Sequence, residues 1–247
     1  MDDPASTFSI ETALNLHLLG AVGQPQKTGF GYSYTSSFLA CLADARGATG
    51  RDVESGDVTD EPRTGHWLGA VGYMVLLDQI GTCFRPKGVT ASPARESIIR
   101  CLAEWAPGIP PAEREALYAL RCALAHDYSL INFSDDPSRR HRFGLDRRVD
   151  LGVVRLPTEQ WSGEHHDGRR TATTMVSVRA FGDLADAIAV AVRAAAPSQL
   201  ELILAGGPYE LFHRYGILIE QPSDRNFQGR FTGARWLSGP PAGVFDD

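Results

Sequence analysis

The chain has 247 residues, 43% hydrophobic and 22% charged, an ordinary globular composition with room for one large domain or two small ones. Its formal net charge of −6 argues against a protein that coats nucleic acid by charge alone, while leaving room for a local basic site. The longest apolar stretches, Leu68 to Leu77 and Ala185 to Ala196, are interrupted by Gly, Asp or Arg and are too short to span a bilayer, so no membrane-spanning segment is expected. Met1-Asp2-Asp3-Pro4 opens without a basic region ahead of an apolar run, which points away from a secretory signal and towards the cytoplasm. The cysteines at 41, 83, 101 and 122 form no CxxC pair and have no His at zinc-finger spacing, so they read as small buried hydrophobes, with no metal or cofactor signalled.

In chain order, Thr7 to Val22 carries Phe8, Ile10, Leu14, Leu18 and Leu19 at helical spacing, and Tyr34 to Ala45 continues with Phe38, Leu39 and Leu42. Between Gly47 and Gly65 lies an acidic stretch with almost no apolar residue, which reads as a solvated loop. A long helix is predicted from His66 to about Cys83, closed by Pro86. Ser92-Pro93 followed by Glu96 predicts the start of a fourth helix reaching Trp105, and Pro110-Pro111-Ala112-Glu113 starts a fifth. That fifth helix carries Leu117, Leu120, Leu124 and Tyr128 as a stripe.

Beyond it the period changes. Tyr128 to Phe133, His141 to Leu145, Leu151 to Leu156 and Thr171 to Val178 are short β-favouring runs, the pattern of a small antiparallel meander in which Phe133 and Phe143 face inward. Helix returns from Phe181 to Ala196, closed by Pro197, and another is predicted from Ser198 to about Tyr215. From Gln221 the chain is rich in Gly, Pro and Ser without periodicity. The organisation expected is a helical core over 1–128, a β-rich basic insertion over 129–178, C-terminal helices over 179–220 that complete the bundle, and an irregular tail over 221–247.

The fifth helix holds Leu120-Arg121-Cys122-Ala123-Leu124-Ala125-His126-Asp127, an Arg followed after four residues by a His. None of the other six His has an Arg five to seven residues before it. This segment resembles the Arg, four to six residues, His signature of the HEPN superfamily, and the looser match over the helical body agrees with it. The resemblance implies a mainly α fold, a HEPN-like helical bundle with the β-meander inserted after the motif helix, and a metal-independent endoribonuclease active as a homodimer in a toxin, defence or stress setting, with an antitoxin or regulator as a possible partner.

The residue types suit that chemistry. When a ribose 2′-OH attacks the adjacent phosphate, the site needs a proton acceptor near neutral pH, which His126 supplies, and a fixed cation for the phosphorane, which Arg121 supplies through its planar fork. Five helical residues turn His126 by about 500°, or about 140° net, and advance it by about 7.5 Å, so the two cannot share one narrow strip. By adjacency, Asp127 is placed to orient the imidazole and Tyr128 to hold a phosphate or base.

Arg139-Arg140-His141-Arg142 and Arg147-Arg148 follow on the expected hairpin. They read either as an RNA-binding phosphate track or as a solvated tip paired with Asp135, Asp136, Asp146 and Asp150. His165-His166-Asp167 reads as an exposed loop, since adjacent His on a strand face opposite ways; His66 reads as a cap neighbour and His17 as a packed core residue. The chain has no GxSxG, P-loop or GxGxxG after a strand, which leaves serine hydrolases and nucleotide-dependent enzymes unsupported. Two rivals to the ribonuclease stand beside it: a non-catalytic HEPN-like module that binds RNA, nucleotide or protein, which Cys122 directly after the Arg favours, and a dimeric helical scaffold.

Overall fold

A computed structural model of the chain describes residues 9–28, 32–59, 65–147, 150 and 152–220. The start of the first expected helix, Arg148 and the tail from Gln221 lie outside the described residues.

Helix α1 (Ile10–Leu18) starts at Ser9, whose Oγ accepts the Thr12 N–H at 3.1 Å. A short β1 (Gln26–Lys27) leads to β2 (Tyr32–Ser36), which passes without a loop into α2 (Ser37–Thr49). The helix expected from Tyr34 therefore starts three residues later. Tyr32-Ser33-Tyr34-Thr35 favours extended backbone, and Ser36 caps the helix by accepting the Leu39 N–H while its hydroxyl donates to the His17 carbonyl at 2.7 Å. Gly50, left-handed at φ 74°, ends α2, and an Arg51–Val58 bridge closes the loop that follows.

The central element is α3 (His66–Cys83), which packs against α2, against α4 (Ser97–Trp105) and against α6 (Val178–Ala195). It is apolar on nearly every side, and Ala70, Tyr73, Met74, Leu76, Leu77 and Ile80 are all buried. Helix α4 begins at Ser97 with Glu96 as its cap, five residues after the Ser92 start expected from sequence. The reason is tertiary: the Ile98 N–H is met by Asp78 of α3 at 3.1 Å, and the Ser92 N–H is taken by Glu104 at 2.9 Å. Helix α5 (Pro111–Asp127) follows the sequence expectation, with Pro111 in its first turn.

The insertion contains β4 (Ile131–Asn132), β5 (His141–Asp146), β6 (Val154–Arg155) and β7 (Thr173–Ser177), in the spatial order β4-β5-β7-β6. It is not the antiparallel meander expected, because β5 and β7 pair in parallel from Arg142↔Thr173 to Asp146↔Ser177. Strand β7 continues directly into α6, capped by Ser177, which accepts the Ala180 N–H at 3.1 Å. Phe143 faces inward as expected, whereas Phe133 is 58% exposed.

The helix expected from Ser198 divides into β8 (Leu200–Leu202) and α7 (Gly207–Tyr215), separated at Gly206-Gly207, where Gly207 has φ +56°. Strand β8 pairs with β3 (Phe84–Pro86), and β9 (Gly216–Glu220) pairs with β2. The described residues thus hold seven α-helices and three small sheets, a mixed α/β chain in which the predicted helices form the core and the sheets tie distant segments together. One apolar cluster runs from Ala13 to Phe212 and includes Phe143, Val154 and Val176 of the inserted sheet.

Candidate active site on the fifth helix

Leu117, Leu120, Ala123 and Leu124 anchor α5 to the core, which leaves Arg121 and Cys122 half-buried and Ala125 to Tyr128 exposed. The helix closes with Tyr128 in the left-handed region at φ 49°, its N–H reaching the Leu124 carbonyl at 3.1 Å and the Ser129 N–H reaching that of Ala123 at 3.1 Å. That conformation costs a non-glycine residue about 1 kcal/mol. The Tyr128 ring lies 5.5 Å from that of Trp67, at the start of α3, which holds it there.

Arg121 donates from Nε to Asp78 Oδ2 at 2.7 Å, and its side chain stays 33% exposed. Burial works against the charge of this guanidinium, but Asp78 prevails and keeps it above its ordinary range. Asp78 serves two partners, since its other oxygen meets the first turn of α4. Sequence reading missed Asp78. Its signal was there, a lone acid in the apolar run Leu76-Leu77-Asp78-Gln79-Ile80. His126 lies on the exposed last turn, and among the described residues no hydrogen bond joins Asp127 to its ring. Neither Arg121 nor His126 lines either described cleft.

Of the basic run, Arg139, Arg140 and Arg142 are each held by neighbouring groups. Arg139 is spent on Glu96 and Glu115, both at 2.8 Å, with its Cζ 4.6 Å from the Tyr118 ring centroid, so it clamps the insertion to α4 and α5. Those two carboxylates raise its basicity despite burial. Arg140 donates to the Ser134 carbonyl at 2.8 Å and Arg142 donates to the Asp167 carbonyl. Arg140 lines a cleft of about 410 Å³ with Phe133, Asp135 and Glu164, where Phe133 stacks between Trp161 and His165 at 5.3 Å each. Arg147 is exposed and faces a different cleft. His165 and His166 are exposed, as expected.

Two histidines, His17 and His141, are structural. His17 is fully buried, with Nδ1 2.6 Å from the Tyr34 hydroxyl and Nε2 3.0 Å from the Gln79 amide nitrogen, and burial lowers its pKa to about 3. His141 bridges Thr174 and the Ser138 carbonyl, both at 2.8 Å. A second buried network joins Arg46 and Arg51 to Asp183 and Asp186 of α6, with Arg46 Nε 2.9 Å from Asp186. Arg46 also donates to the carbonyls of Val53 and Glu54, which fastens that loop to the body.

Among the described residues no helix is long and apolar enough to cross a membrane, and no group of three His, Cys, Asp or Glu is arranged to hold a metal ion. Compared with known protein families, curated proteins and solved structures, the chain matches none.

Proposed function

We propose that this chain is a metal-independent endoribonuclease of HEPN type that works as a homodimer, with Arg121 gripping the scissile phosphate and His126 moving the proton of the 2′-OH. One observation carries the reading. Asp78 takes the Nε edge of Arg121, which fixes the fork while a third of the side chain stays open to solvent. On an ideal helix His126 stands about 140° from Arg121, and the arc between them holds Ala125 at about 40° and Cys122 at about 100°. Both are small side chains, so a phosphate or a second copy can approach the helix between the two functional groups.

Attack of the 2′-OH on phosphorus breaks the bond to the 5′ oxygen and leaves a 2′,3′-cyclic phosphate. The proton accepted at one side must be supplied at the other, and two copies of the chain provide two imidazoles and two guanidiniums. Exposed apolar residues beside the motif favour such pairing: Trp67, Leu68 and Val75 on α3, and Tyr128 at the end of α5.

A second reading, a binding module without catalysis, is favoured by the cost of using Arg121 at all. Its charge is already met by Asp78, and the same carboxylate starts α4.

The test is incubation of the purified chain with mixed RNA in EDTA. Fragments ending in cyclic phosphate are expected, and His126→Ala should lower their rate roughly 100-fold or more without changing the fold, since His126 is exposed. Arg121→Lys, which keeps a cation for Asp78 but loses the fork, should also impair cleavage. Binding without cleavage would select the second reading. Wild-type rates from His126→Ala would overturn the catalytic one, and a chain that neither binds nor cleaves RNA would be left as a scaffold.

A further inference from the structure

A cleft of about 290 Å³, which includes neither Arg121 nor His126, is lined by Thr49, Arg51, Val58, His66, Arg147, Val178 and Arg179. Three arginines and a histidine meet there, and among the described residues no carboxylate lines it. The cleft near Phe133 differs, because Asp135 and Glu164 stand in its wall beside Arg140.

The charges do not cancel. Arg51 is buried and immobilised by Asp183 at 2.6 Å, by Asp186 at 3.4 Å and by the carbonyls of Gly56 and Arg179. With Arg46 also on Asp186, two cations face two anions in that network. Arg147 and Arg179 are then in excess: both are exposed, and among the described residues neither guanidinium has a bonded partner. The first two residues of α6, Val178 and Arg179, belong to the lining, so the positive end of an 18-residue helix adds to the field. Val58 and Val178 supply an apolar wall.

We infer that this cleft binds a phosphate group, with Arg147 and Arg179 as its grips and Arg51, held in its own ion-pair network, as part of the floor. The volume lies just below the range for small-molecule sites, about 300–1,000 Å³, which suits nothing larger than a single mononucleotide-sized unit. The phosphate comes from a free nucleotide or from one unit of an RNA strand. Two unpaired guanidiniums converging on one opening favour a phosphate, whose oxygens each fork can bind in pairs. The inference does not depend on catalysis at His126.

The experiment is calorimetric titration of the full chain at low salt with AMP, ADP, a short oligoribonucleotide, and adenosine as the uncharged control. AMP, ADP or the oligomer should bind and adenosine should not. Arg147→Ala combined with Arg179→Ala should weaken binding roughly tenfold or more, and raising salt from about 50 to about 200 mM should weaken it further. Both residues are exposed, so the double variant is expected to melt like the parent. Binding of AMP or ADP identifies a free nucleotide as a sufficient source, whereas binding of the oligomer alone identifies the strand. If no phosphorylated probe binds, or if the double variant binds like the parent, the inference is overturned.

Discussion

Asp78, partly buried, and His17, fully buried, show how single polar groups are committed in this protein. Asp78 divides its two oxygens between Arg121 and the Ile98 N–H, so removing it would loosen both the candidate site and the start of α4. His17 is held neutral between Tyr34 and Gln79, because burial lowers its pKa from 6.5 to about 3, and burial also lowers that of His141. The sign of the linkage follows. The unfolded chain takes up a proton as pH falls below 6.5 and the folded chain does not, so this contribution to stability is complete above that pH and is lost on the way down towards 3. The His17 imidazole should cost up to about 1.4 kcal/mol per pH unit within that window. Urea denaturation at pH 7 and pH 5 checks it, with a lower midpoint expected at pH 5; equal midpoints would contradict neutral burial of these rings.

The helices meet at surfaces that only small residues allow. A Cβ added at Gly81 of α3 would stand 1.9 Å from the Ser97 carbonyl oxygen and 3.0 Å from the Cys101 nitrogen, both backbone atoms of α4. Gly81→Ala gains about 1 kcal/mol of helix propensity yet forces the two helices apart, at a cost of about 3 kcal/mol or more. The variant should therefore melt well below the parent in thermal denaturation, and a melt at or above the parent's would show that α4 can shift freely. A different device operates where strands become helices. Ser36 and Ser177 are both buried, and each ends a strand by capping the helix that follows it without a connecting loop.

Across the described residues, pairing of β2 with β9 and of β3 with β8 links N-terminal segments of the chain to C-terminal ones, around the apolar α3. What α3 does not bury is concentrated on one side. Leu68 is 63% exposed and Val75 47%, next to the Trp67–Tyr128 ring pair and the Arg121–Asp78 ion pair. If two copies join through this face, light scattering should give twice the mass of one chain. Leu68→Asp should shift it to one chain and lower RNA cleavage with it, while the melting of the single chain stays near the parent's because Leu68 is exposed. A parent chain that runs as a single copy at working concentration would refute the dimer.

How much could be read from sequence depended on whether the cause was local. The bounds of α3 and α5 and the inward placement of Phe143 and His17 were legible, because helical period, an N-terminal proline and strand alternation act over a few residues. The Arg121–His126 spacing was legible for the same reason, and so was the angle that separates the two on their helix. What the sequence did not contain was the partner of each charge. Arg121 finds Asp78 across 43 positions and Arg46 finds Asp186 across 140, and no periodicity encodes such pairs. Tertiary structure alone decided the parallel pairing of β5 with β7, the exposure of Phe133, and the use of Arg139 as a clamp. The cationic cleft is built from residues 49, 51, 58, 66, 147, 178 and 179, brought together because each of those segments must first satisfy its own backbone and bury its own apolar side chains. The sequence alone determined which residues have the chemistry for phosphate; folding decided which of them remain free to use it.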